Sequence, residues 1–161
     1  MNLRNTLKEE KQKKADSIVR SVLNEDFLHL NLEEGLTIKE NVKSCITKVS
    51  YGITITSLKE RESLSIEGEG QGPVDAFFSS LKTALMSRYE SLNELYFQEF
   101  MINADIGRLS QKHSGSNSPV EAVLIVRNER DEDLIFRNKS RSTNKAALST
   151  VLSAIEHFIN S

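Results

Sequence analysis

The chain lacks tryptophan, has one cysteine and two prolines in 161 residues, and contains no apolar run near the roughly 20 residues that cross a bilayer. Cys45 has no second cysteine for an internal disulfide and no ligand-spaced partner, which argues against a structural zinc site and fits a reducing cytosol. It reads as a buried small residue. An excess of charge of one sign is missing too. The formal net charge is -2 and the pI about 6.0, so there is no bulk attraction to nucleic acid or to an anionic membrane. The amino terminus is rich in Lys and Glu rather than basic and then apolar like a secretory signal. These absences predict a soluble, cytoplasmic chain. No Ser/His/Asp, Cys/His or paired-carboxylate arrangement is legible, so no catalytic residue, metal or cofactor is expected. The length suffices for one domain with a core that needs no covalent staple.

What is present centres on Leu64 to Leu85. Gly68-Glu69-Gly70-Gln71-Gly72-Pro73 joins an alternating strand to a helix start: Gly72 suits an N-cap, Pro73 the first helical position, and Asp75 the positive end of the dipole. Val74, Phe77, Phe78, Leu81 and Leu85 then form one apolar face, with Asp75, Ser79 and Lys82 outward. A glycine-lined helix start leaves free N–H groups for a small anion. The plain alternative is a tight strand-to-helix turn, and spacing alone favours it. The pattern matches neither dinucleotide-binding nor P-loop signatures, and the lysine of the latter is absent.

Taken in order, residues 1–39 read as a helix, at least from Ala15 to Leu23, and a linker from Asn24 to Lys39 that packs on the domain or along a partner subunit. The mixed-sign block Lys8 to Lys14 reads as a solvated face. Strands are predicted at Val42 to Val49, at Tyr51 to Leu58 and around Leu64 and Ile66, with Lys59 to Glu62 as a hairpin turn. The central helix runs to about Arg88. Leu95 to Ile102 reads as a strand, and Arg108 to Pro119 as a loop in which His113 is an incidental surface residue. Val120 to Val126 and Leu134 to Arg137 form a hairpin about the turn from Asn128 to Asp133. Ser142, Thr143 or Asn144 caps a closing helix that ends at Asn160. The expectation is an α+β fold of duplicated β-β-β-α units, about 40–92 and 93–161, within a domain spanning 40–161 and preceded by an N-terminal helix. Strand edges in so small a domain invite pairing across a symmetry axis.

Gly70-Gln71-Gly72-Pro73-Val74-Asp75-Ala76 resembles the GNGPVDA signature of the carboxy-terminal regulatory domain of α-isopropylmalate synthase and citramalate synthase. Leu95 to Phe100 resembles the family's tyrosine-containing strand, and Ala154 to Asn160 its last helix; the likeness covers roughly 42–160. The resemblance implies a duplicated, dimeric, non-catalytic domain of leucine biosynthesis, one that binds leucine or isoleucine near the dimer interface and inhibits a separate catalytic barrel. This chain has no room for that barrel. Carried over by position, the ligand would meet Gly70, Gln71, Gly72, Pro73, Val74 and Asp75 at the helix start, Phe97 and Met101 on the next strand, and Ala147 in the second half. There the chain departs from the family pattern: Arg137 to Ala147 is basic and lacks glycine, and Thr150-Val151 stands where Ala-Ser would fall.

Two other readings compete. One is a dimerisation or scaffold domain without a ligand. The other is a layout like that of a double-stranded RNA-binding domain, with Lys139, Arg141 and Lys145 at the last helix start, which the acidic overall charge counts against.

Overall fold

A computed structural model describes residues 3–104 and 119–161. Its elements are α1 (Leu3–Leu23), β1 (His29–Leu32), β2 (Thr37–Asn41), β3 (Ile46–Thr56), β4 (Arg61–Gly70), α2 (Pro73–Leu85), β5 (Tyr96–Ala104), β6 (Val120–Arg127), β7 (Asp133–Ser140) and α3 (Thr143–Ile159). Two antiparallel sheets result, and the fold is α+β. The strand at Leu95 to Ile102 and the hairpin after Pro119 lie, and α2 and α3 begin, where the sequence places them. The expected loop through His113 falls outside the described residues apart from Pro119.

Each half is an antiparallel sheet three strands wide followed by a helix. In the first half β3 is the central strand: β4 pairs with it from Thr56↔Arg61 to Thr47↔Gly70. β1 and β2 lie end to end along its other edge, opposite Ile53–Thr56 and Ile46–Ser50. They are one edge strand, broken where Glu33 donates its backbone N–H to the Gly52 carbonyl at 2.9 Å and its carboxylate accepts the Thr54 hydroxyl at 2.7 Å. In the second half β6 pairs with β5 and β7. Register puts Thr47 opposite Gly70 and Val120 opposite Ser140, and each helix begins three residues past that glycine or serine. With the halves so aligned, Ala76, Phe77, Phe78, Ser80, Leu81 and Leu85 fall on Ala146, Ala147, Leu148, Thr150, Val151 and Ile155, and every one of these is buried.

Several expectations are corrected. Asn24–Lys39 is not a linker: it holds a 3-10 turn (Asn24–Asp26), β1 and most of β2, so a boundary at residue 39 would cut a strand. Leu28, Leu30 and Leu32 do alternate, but β2 is almost wholly exposed and carries no apolar rhythm to announce it. The strands expected at Val42 to Val49 and Tyr51 to Leu58 are one strand, Ile46–Thr56, because Ser50 and Gly52 continue the ladder. Val42 to Cys45 instead turns, with the Asn41 side chain accepting from Lys43 and Ser44 N–H at 3.1 and 3.2 Å. Cys45 sits in that turn at φ 55 and is exposed, not buried. Arg61 and Glu62 belong to β4 rather than to the hairpin turn, and α2 stops at Leu85 instead of Arg88.

One core joins both halves. Tyr51, Ile53, Phe77 and Leu81 pack in the same cluster as Leu124, Leu148, Val151 and Ile155. The end of α3 also clamps β1: Asn160 bonds both the N–H and the carbonyl of Leu28, at 2.9 and 2.8 Å, and Glu156 accepts from Leu30 N–H at 2.9 Å.

Tyr51 places a phenol inside this core. Its hydroxyl lies 3.0 Å from Ser80 Oγ and donates to the Phe77 carbonyl at 3.3 Å, and burial pushes its pKa up to about 12. The folded chain therefore keeps this proton in a range where the unfolded chain, with an ordinary pKa near 10, releases it. The contribution of Tyr51 to stability is thus constant below about pH 10 and falls as pH rises from there toward 12. Urea midpoints measured across this range in the wild type and in Tyr51→Phe should converge as pH increases; parallel curves would contradict a buried, neutral phenol.

Helix α1 is held by a polar face. Glu9 accepts from Arg137 at 2.8 Å, Asp16 lies 2.7 Å from His157 Nδ1, and Arg20 donates to Glu156 at 3.3 Å. Between them Gln12 acts as a substitute strand: its carbonyl accepts from Ile135 N–H at 3.0 Å and its amide donates to the Ile135 carbonyl at 3.2 Å. Residues 9, 12, 16 and 20 share one side of the helix. The opposite side, with Lys8, Lys11, Ala15, Ile18 and Val22, is exposed.

Candidate functional site

The turn from β4 into α2 is built on close approach. A Cβ on Gly70 would stand 2.5 Å from Ala76 N and 2.8 Å from the Asp75 carbonyl carbon, so only glycine lets the strand end pass beneath the first helical turn. Gly68 lies equally tight under Ser80. Gly72 is different. Its φ of 97 and ψ of 163 belong to glycine alone, yet nothing stands within 4 Å of where its Cβ would be. Pro73 follows at the first helical position, as its fixed φ and missing N–H predict.

The two helix starts differ in their caps. Ser142 accepts from Lys145 N–H at 3.2 Å through its side chain and so satisfies an amide of α3. No side chain caps α2. Its first intrahelical bond is Ala76 N–H to the Gly72 carbonyl at 3.1 Å, which leaves the Val74 and Asp75 amides, N-terminal to it, without a helical acceptor. Asp75 turns its carboxylate back to accept Gln71 N–H at 2.8 Å. It adds negative charge at the tip, and among the described residues those two amides meet no acceptor.

Beneath this tip is Thr47. It shares the helix-covered face of β3 with Val49, Tyr51 and Ile53, pairs with Gly70, and is fully buried. Its hydroxyl is the one buried side-chain polar atom among the described residues with no hydrogen-bond partner. Nothing in the sequence marks it, since a threonine at a strand start is ordinary; only the register brings it to Gly70.

Of the residues expected to hold a ligand, Gly70, Gln71, Gly72, Pro73, Val74 and Asp75 are adjacent, with Gln71 and Asp75 exposed and Gly72, Pro73 and Val74 half-buried. Phe97 stands 5.6 Å, edge to face, from Phe78 on the second turn of α2, and is partly exposed. Met101 is exposed farther along β5, but the bulge after Phe97 turns it to the opposite face of the sheet, Phe97 pairing with Val126 and Met101 with Val123, so it does not join Phe97 at the α2 tip as expected. Ala147 is buried in the core of the second half, where it lines no surface. Lys139, Arg141 and Lys145 are dispersed across β7, the following turn and α3, with Lys139 on the strand that α1 borders.

No group of three or more His, Cys, Asp or Glu side chains that could hold a metal ion occurs among the described residues. Among the described residues no helix is long and apolar enough to cross a membrane. Comparison with protein-family models gives no match, and comparison with curated proteins gives none either.

Proposed function

We propose that the chain is a non-catalytic regulatory and dimerisation domain of the α-isopropylmalate synthase type, taking a branched-chain amino acid, leucine or isoleucine, at the α2 tip. The observation that carries this reading is the pairing of an uncapped, glycine-lined helix start with a buried, unpartnered Thr47 hydroxyl beneath it. A ligand carboxylate would meet the Val74 and Asp75 amides, and Thr47 would supply a donor that gains a partner only on binding. Partly exposed Phe97, on the helix-facing side of β5 beside Phe78, offers apolar surface for the branched side chain. The duplicated halves and exposed strand edges suit a dimer, and a separate synthase barrel would be the regulated partner. A ligand-free scaffold is the second reading, favoured by the Asp75 carboxylate already lying at the tip.

Calorimetry with leucine, isoleucine and valine at millimolar concentration decides between them. Binding heat and a raised melting temperature are expected for at least one. Thr47→Val should fold at least as stably as the wild type, because it deletes an orphaned polar group, and should bind roughly tenfold more weakly. Gly72→Val should lose binding through backbone strain at positive φ rather than through a clash. Absence of heat and of any thermal shift rejects the sensing role and leaves the scaffold.

A further inference from the structure

The duplication places two equivalent grooves on the molecule, each between the free edge of a half's last strand and its helix. The second, between β7 and α3, is occupied by α1. The first, between β4 and α2, is a groove of about 350 Å³, walled by Glu67, Gly68, Glu69, Ser79, Thr83 and Ala84. Among the described residues no element lies along it. Alignment of the halves sets Ser65 on Ile135, whose backbone Gln12 engages, and Glu67 on Arg137, which holds Glu9. The open groove thus repeats the seat of a helix with the sign of its lip reversed.

We propose that the β4/α2 groove is the docking site for α1 of a second copy of this chain. The face it would receive is the one α1 turns away from its own β7: Lys8, Lys11, Ala15, Ile18 and Val22, stepping by three, four, three and four. Ile18 and Val22 are 64% and 75% exposed, an unusual placement for β-branched apolar side chains in one stripe. Glu67 and Glu69 stand on the face of β4 opposite to the one Gly68 and Gly70 turn to α2, at the free edge, as Arg137 does where it reaches around β7 to Glu9; Lys8 and Lys11, one turn apart, span a similar spacing. Glu67 has no ion-pair partner among the described residues, and Glu69 only a 3.9 Å contact to Lys48. The small floor of Gly68, Ser79, Thr83 and Ala84 admits a close helix. Two rival pairings are less favourable. β4 against its own copy, in antiparallel register, would oppose Glu62 to Glu69. β5 carries a bulge between Phe97 and Glu99 that disrupts an edge. Exchange of α1 in both directions about a two-fold axis gives each helix a strand edge on either side, its own β7 and the partner's β4.

This inference names the interface of the dimer proposed above; sedimentation reports on it and calorimetry on the ligand, so each can fail alone. Sedimentation velocity on the full chain at physiological salt should show a dimer. Lys8→Glu/Lys11→Glu and Glu67→Lys/Glu69→Lys should each weaken association by about tenfold or more, and the four changes combined should restore it to within a few-fold of the wild type. Circular dichroism should be the same for all, since these side chains are exposed. A monomer at every concentration, reversals without effect, no recovery in the combined variant, or dissociation by Ile102→Lys on β5 with the reversals silent would each overturn the proposal.

Discussion

Gly70→Ala is expected to destabilise the chain by on the order of 3 kcal/mol, a drop in melting temperature of roughly 6–12 °C for a protein of this size. The added carbon meets Ala76 N and the Asp75 carbonyl carbon, at 2.5 and 2.8 Å. Both are main-chain atoms of the first helical turn, so no side chain can rotate out of the way. Relief requires α2 to lift from β4, and that opens the contact between Phe77 and Tyr51. Gly72→Ala supplies the contrast: it also replaces glycine by alanine two residues on, where the space is open and only φ is strained. It should cost about 1–2 kcal/mol. Thermal melts of the two variants would separate close packing from backbone strain, and equal losses would contradict the packing described at Gly70.

Phe77→Ala is expected to cost about 3–5 kcal/mol. The ring is fully buried, and it meets the Tyr51 ring edge to face at a centroid distance of 5.8 Å. Phe77 also supplies the carbonyl that accepts from the Tyr51 hydroxyl, so a shift of α2 into the cavity would disturb a buried hydrogen bond as well. Phe77→Leu, which retains most of the volume, should recover more than half of the loss. Urea unfolding followed by far-UV circular dichroism measures both. A loss below about 1 kcal/mol for the alanine would mean that α2 is not seated on the first sheet as described.

These two positions show how far the sequence could be read. The apolar steps of α2 and α3 are three and four residues long, and both helices lie where that rhythm puts them. The glycines before Pro73 signal a turn, and one is found, but only Gln71 and Gly72 make it, since Gly68 and Gly70 continue β4. Their spacing does not reveal that Gly68 and Gly70 serve the approach of α2 to β4 while Gly72 serves a backbone angle. That difference lies in what sits above each one. β2 and α1 were harder to read for another reason. Their faces toward the domain are polar or sparse: β2 is nearly all exposed, and α1 binds through Glu9, Gln12, Asp16 and Arg20. Methods that look for apolar periodicity register such elements weakly. Thr47 is a third kind of omission, because its importance arises from a cross-strand partner distant in sequence.

The paired contacts of Gln12 carry a consequence for the lifetime of the chain. An outermost strand presents unsatisfied peptide groups that other chains can template upon, and here one side-chain amide covers those of Ile135. Proteolytic loss of the first helix would therefore uncover a sticky seam beside Ile135 and Phe136, and clumping of the remnant would follow before any loss of its interior order.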